Sequence, residues 1–247
     1  MPIESEVLER IALSRLPELQ VASGLFRATA RVEGVEDEGP PATTLRAGAV
    51  VLLGLLRADQ REVSQPFSTG ALRTRVLGDL GGETTSVGDL GLSLWAESRS
   101  QGGAVSEIHA LLKRKLGPDK TDIPLQDLSW AVSGLTEASV RFGDEAGIAS
   151  MLDELAEELI GRAITGTGLI SDVHRRRRGA AVSIESQLHA LNALGQMKRA
   201  DLSASDDQPL QRLADVLLAI QGEDGSWPGL IDPVRGQPTA FYPVLTV

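Results

Sequence analysis

Cysteine is absent, so neither a disulfide nor a thiolate-held metal is open to this chain. Aromatic residues are scarce: three Trp, one Tyr and four Phe in 247 positions. A site that steadies a carbocation or stacks a sugar between several rings would need more aromatic faces than this. Basic side chains are in the minority, 24 Lys and Arg against 34 Asp and Glu, for a net charge of -10. That balance disfavours nonspecific adhesion to nucleic acid or to an anionic membrane. Long apolar runs are missing too, since the longest, Ala47 to Leu56, is too short to span a bilayer. The start, Met1-Pro2-Ile3-Glu4-Ser5-Glu6, leads into no signal-type apolar core. These absences predict a cytoplasmic protein with no membrane span, no nucleic-acid partner, no metal and no cofactor.

What is present is a helical rhythm. Leu152, Leu155, Leu159 and Ala163 form one apolar stripe at helix spacing, as do Leu210, Leu213, Leu217 and Ile220. Between such segments lie others that are apolar or small almost all round, Ala47 to Leu56, Asp89 to Ala96, Asp127 to Val132 and Leu188 to Leu194. A helix of the second kind must be buried on most sides. The alternation predicts an outer helix followed by an inner one, repeated.

Short motifs recur along the same frame. Gly168-Leu169-Ile170-Ser171-Asp172-Val173 is echoed by Gly229-Leu230-Ile231-Asp232-Pro233-Val234 and, more faintly, by Gly24-Leu25-Phe26. Inner helices are expected to start near residues 43, 85, 122, 182 and 238, with Thr43, Thr85 and Asp122 as N-cap types. Five hairpins that cannot bury their inner helices alone must stack or curl, into a closed ring or an open solenoid. The expected fold is all-α, a single domain over 1–247, an incomplete α/α barrel whose apolar C-terminal edge calls for a continuing chain or for a partner chain that fills the gap.

Gln221-Gly222-Glu223-Asp224-Gly225-Ser226-Trp227 resembles the QW motif of the superfamily of terpenoid cyclases and protein prenyltransferases. The resemblance implies an α/α toroid in which the glutamine and tryptophan tie successive repeats together. It implies no activity. The Asp-x-Asp-Asp acid of the cyclases is missing, Ser205-Asp206-Asp207 lacking its first aspartate, and the cysteine among the prenyltransferases' zinc ligands is missing as well.

Aligned by their starts, the inner helices place Arg46, Asp89, Asp127, Glu185 and Tyr242 at one level, facing one mouth of a ring. Acid/base chemistry needs two carboxylates in contrasting surroundings, which makes Asp89, Asp127 and Glu185 candidates. The same carboxylates also suit the positive end of a helix dipole. Glu185 and His189 share a helix face four residues apart, so His189 joins the candidate catalytic set. His174-Arg175-Arg176-Arg177-Arg178, with Arg46 and Arg235, could clamp an anionic group. Two functions follow: an enzyme or binder that holds an anionic small molecule, isoprenoid or carbohydrate-like, in the central cavity, or a noncatalytic scaffold that binds a protein at its rim.

Overall fold

The computed structural model describes residues 5–21, 23–26, 44–63, 67–117, 120–144, 147–172, 181–202 and 208–240. Among these the chain forms α1 (Ser5–Leu19), α2 (Thr44–Gln60), α3 (Thr69–Gly78), α4 (Val87–Arg99), α5 (Val105–Leu116) and α6 (Leu125–Phe142). It continues through α7 (Ile148–Gly161), β1 (Val182–Ser183), α8 (Ile184–Arg199), α9 (Gln208–Ile220), β2 (Leu230–Asp232) and β3 (Gln237–Ala240). The protein is mostly helical. None of the described helices is long and apolar enough to cross a membrane.

The alternation expected from the sequence is present in the packing. Helices α2, α4, α6 and α8 pack side by side in chain order, while α3, α5, α7 and α9 each pack on the helix before them. The two kinds differ in burial as their sequences require. On α5 only Val105, Ile108, His109, Leu112 and Leu116 are buried, a single stripe. On α6 an unbroken run from Asp127 to Thr136 is buried, so this helix has neighbours on every side. Leucines such as Leu94, Leu128 and Leu135 are wholly covered, each contributing roughly 1.5–3 kcal/mol relative to exposure.

The closest approach is between α4 and α6. A β-carbon at Gly91 would stand 2.5 Å from the backbone nitrogen of Ala131, and one at Gly134 would strike the carbonyl oxygen of Gly91. Only glycine lets the two backbones come this near. The helices flanking this pair then close over two adjoining apolar clusters: Leu90 and Leu94 of α4 face one, Leu92 and Ala96 the other.

Four of the five expected inner starts correspond to helices, α2, α4, α6 and α8. The fifth does not. Gln237–Ala240 is a strand that pairs antiparallel with β2, which in turn pairs antiparallel with β1. Pro238 suits the edge of a sheet because it has no N–H to leave unpaired. The caps also shift. Ser86, not Thr85, caps α4, and Pro124 rather than Asp122 stands at the N-cap position of α6 without a side-chain bond. Thr43 lies outside the described residues.

Gly24 and Gly168 of the echoed segments lie in turns, in a different register from that expected, whereas Gly229-Leu230-Ile231 runs into strand β2. Gln221 donates from Nε2 to the carbonyl of Gly225 at 3.0 Å, and Gln20 donates likewise to Gly24 at 3.3 Å. The next amides, of Gly222 and Val21, donate to the carbonyls of Ser226 and Leu25 at 2.8 and 2.9 Å. Gly225 and Gly24 take φ of 82 and 81 degrees, where a side chain would be strained. Gly24-Leu25-Phe26 therefore corresponds to Gly225-Ser226-Trp227, not to Gly229-Leu230-Ile231. A third, longer version runs from Ala163 to Ile170, with Ile164 donating to the carbonyl of Leu169 at 2.7 Å. All three turns follow the end of an outer-type helix.

Candidate functional site

The N-termini of the four packed helices meet at one end of the row, and there four of the five expected polar positions, Arg46, Asp89, Asp127 and Glu185, are brought together. Arg46, in the first turn of α2, reaches across to α4 and α6. Its Nε donates to Asp89 Oδ1 at 3.0 Å and its Nη2 to Asp127 Oδ1 at 2.8 Å and to Ser86 Oγ at 3.0 Å. Asp89 is further held by a capping box: Ser86 Oγ accepts from its amide and its Oδ2 accepts from the amide of Ser86. The guanidinium also lies 4.7 Å from the centre of the Trp130 ring, a cation–π distance.

The chain of contacts runs on to α8. Trp130 donates from Nε1 to His189 Nδ1 at 3.3 Å, the rings meeting edge to face. His189 Nε2 is 3.8 Å from Glu185 Oε1, which accepts from Gln126 Nε2 at 3.0 Å. Burial holds His189 below the usual imidazole range and Arg46 adds to this, against the pull of Glu185. A neutral ring agrees with the geometry, since Nδ1 must keep its lone pair to accept from Trp130. Asp89 and Asp127 are nearly buried and share one guanidinium. Asp89 carries the capping-box bonds as well, for which α6 has no counterpart.

The structure thus brings together Arg46, Asp89, Asp127, Glu185 and His189. It does not add Arg235, which sits exposed in the β2–β3 turn 4.0 Å from Asp232. His174, Arg175, Arg176, Arg177, Arg178 and Tyr242 lie outside the described residues. Among the described residues no cluster of His, Asp and Glu is arranged to hold a metal.

A cavity of about 460 Å3 opens at the other end of the row, where the same four helices finish. Arg57 of α2, Arg99 of α4 and Arg199 of α8 line it, with Glu137 of α6 as the one carboxylate among the described residues. Glu137 accepts from Arg141 at 2.9 Å and stands 3.6 Å from Arg99 Nε, too far for a hydrogen bond. Asn192, Gln196 and Arg199 recur at helical spacing on the wall that α8 supplies, and Trp95 is the only ring in the lining. These arginines escape a reading that aligns helices by their starts. Their signal lies in the last turns, where α2, α4, α6 and α8 carry Arg57, Arg99, Arg141 and Arg199. A cation there complements the helix dipole wherever it points; three of the four point into one cavity.

Comparisons with known protein families, with characterised proteins and with solved structures found no match to this chain.

Proposed function

We propose that the protein is an α/α toroid, or an open arc of one, that binds an anionic small molecule in the cavity at the C-terminal ends of its inner helices. Curvature is supported by the lining itself: α2 and α8 are the first and last of four helices packed in order, yet both face the same space. A flat row would hold them apart.

The observation that carries the binding role is the surplus of guanidinium groups in a concave site. Three arginines line the cavity with one carboxylate among its described residues, and that carboxylate is engaged by Arg141 and paired with Arg99, which leaves Arg57 and Arg199 for a ligand. Guanidinium forks match the oxygens of phosphate and carboxylate, and each charge-assisted bond contributes about 1.5–3 kcal/mol. The cavity falls within the ordinary size range of small-molecule sites. The polar cluster at the opposite end sets one cation, Arg46, against the carboxylates of Asp89, Asp127 and Glu185, so it offers an anion no surplus of positive charge and serves to lock the four N-termini.

Calorimetric titration with inorganic pyrophosphate tests this. Wild-type protein should bind it, and Arg57→Ala combined with Arg199→Ala should weaken binding at least tenfold while leaving the melting temperature within a few degrees. Failure of the wild type to bind, or equal binding by the double variant, would remove the proposal. Protein docking at the C-terminal edge is the second reading. It rests on β3, an edge strand with one side unpaired by β2, and on the exposed apolar side chains of Leu218, Leu230 and Val234.

A further inference from the structure

We infer that the cavity's ligand is a hydroxylated phosphate ester, of the sugar or polyol phosphate class, and not an isoprenoid diphosphate. This inference rests on the anion-binding reading above and narrows it. Four features of the cavity wall carry it.

The first is the supply of guanidinium groups. Arg57, Arg99 and Arg199 all line the cavity, and their planar forks suit the oxygens of a phosphate group. The second is α8, which presents Asn192 and Gln196 one turn apart beside Arg199. An amide offers a donor and an acceptor together, which is what a hydroxyl group asks for. Thr136 adds a hydroxyl of its own on the α6 wall, where it donates to the carbonyl of Val132 at 2.8 Å and keeps its oxygen as an acceptor.

The third is the shortage of apolar wall. Among the described residues Val140 and Ala200 are the only aliphatic ones in the lining. An isoprenoid tail would bury little of its surface against them and gain correspondingly little free energy. The fourth is Trp95, alone among rings. One indole can cover the C–H face of a sugar, whereas stabilising a prenyl cation calls for several. Arg57 and Arg199, both exposed at the cavity rim, take the phosphate, and the amides and indole take the carbon body.

The test is a calorimetric series on the full chain with glucose 6-phosphate, ribose 5-phosphate, glycerol 3-phosphate, inorganic phosphate and dimethylallyl diphosphate. At least one hydroxylated ester should bind tenfold or more tighter than inorganic phosphate and tighter than the prenyl diphosphate. Asn192→Ala with Gln196→Ala should erase that preference while leaving the affinity for inorganic phosphate unchanged, and circular dichroism melts would show the variant folded. If inorganic phosphate or dimethylallyl diphosphate binds as tightly as every ester, the inference is overturned while the anion site stands. If the preference survives the amide double variant, the assigned wall is wrong. If none of the five binds, the anion site fails, and the inference with it.

Discussion

Glu97 shows how much rests on single residues away from the cavity. It is almost wholly buried on α4 and accepts both arms of Arg73 from α3, at 2.7 and 2.6 Å, as well as the amide of Ala104 at 3.0 Å. Burial alone would raise its carboxyl, but the bonds from Arg73 and Ala104 outweigh burial and hold it below its ordinary value. Arg73→Ala leaves that charge buried without a partner. The expected loss is about 3 kcal/mol, the low end for a broken buried pair, since a third of the Arg73 side chain still meets solvent. Replacing both residues by leucine should recover most of it, and urea unfolding of the two variants would measure the difference. At this scale the sequence was partly readable. Arg46, Asp89, Asp127 and Glu185 share a level because each sits in a first turn, which spacing alone reveals. That Trp130 joins Arg46 to His189 depends on how α6 is rotated against α8, and no pattern within one helix encodes that.

Among elements, the crossing of α4 and α6 sets the geometry of the whole row, because α2 packs on one of the pair and α8 on the other. Gly134→Ala should separate the two helices at their contact with Gly91, at an expected loss on the order of 1–3 kcal/mol. Gly78→Ala, in a helix where an added β-carbon meets nothing, should instead be neutral or slightly stabilising. Thermal melts of the two side by side would distinguish packing from helix propensity. The turns make a second prediction at this level. Gln221→Ala removes one exposed bond to Gly225 and should cost about 0.5–1.5 kcal/mol; Gln20→Ala, in the matching turn, should cost a similar amount by the same melt. Helix type and order were legible because burial all round demands apolar and small residues all round. The small sheet was not: β1, β2 and β3 hold two, three and four residues, too few for period-two alternation to stand out, and their pairing is set by chain segments far apart.

For the molecule as a whole, acid should be the weak side. His109 is held below 6.5 by burial and then by Lys113, and His189 by burial and Arg46. Unfolding returns both to ordinary values, so the unfolded chain binds more protons and stability falls as pH drops through 6.5. Glu97, also depressed in the fold, adds its loss as pH falls below 4.5 through its folded value. Asp172, raised mainly by burial, opposes this: its contribution is present at low pH and lost as pH rises past its folded value. Glu97 acts only below 4.5, so between pH 5.5 and 7.5 the two histidines predict a lower urea midpoint at the acid end, and His109→Gln should shrink that gap. A flat profile between the two values would contradict the assignment. The chain's net charge of -10 gave no hint of a cavity lined by arginines, because those arginines are spread over 143 positions, from Arg57 to Arg199, and only the packing of the helices brings them to one cavity.

The three-stranded sheet has a mechanical consequence. Strand β1 precedes α8 and β2 follows α9, so the ladder between Val182 and Ile231 straps the base of that hairpin. Tension applied beyond Ala240 must first unzip β3 from β2 and then strip β2 from β1 before any load reaches α9. In a force-ramp experiment pulled from the C-terminal side, α8 and α9 should therefore come away in a single rip after the strap yields, instead of peeling turn by turn.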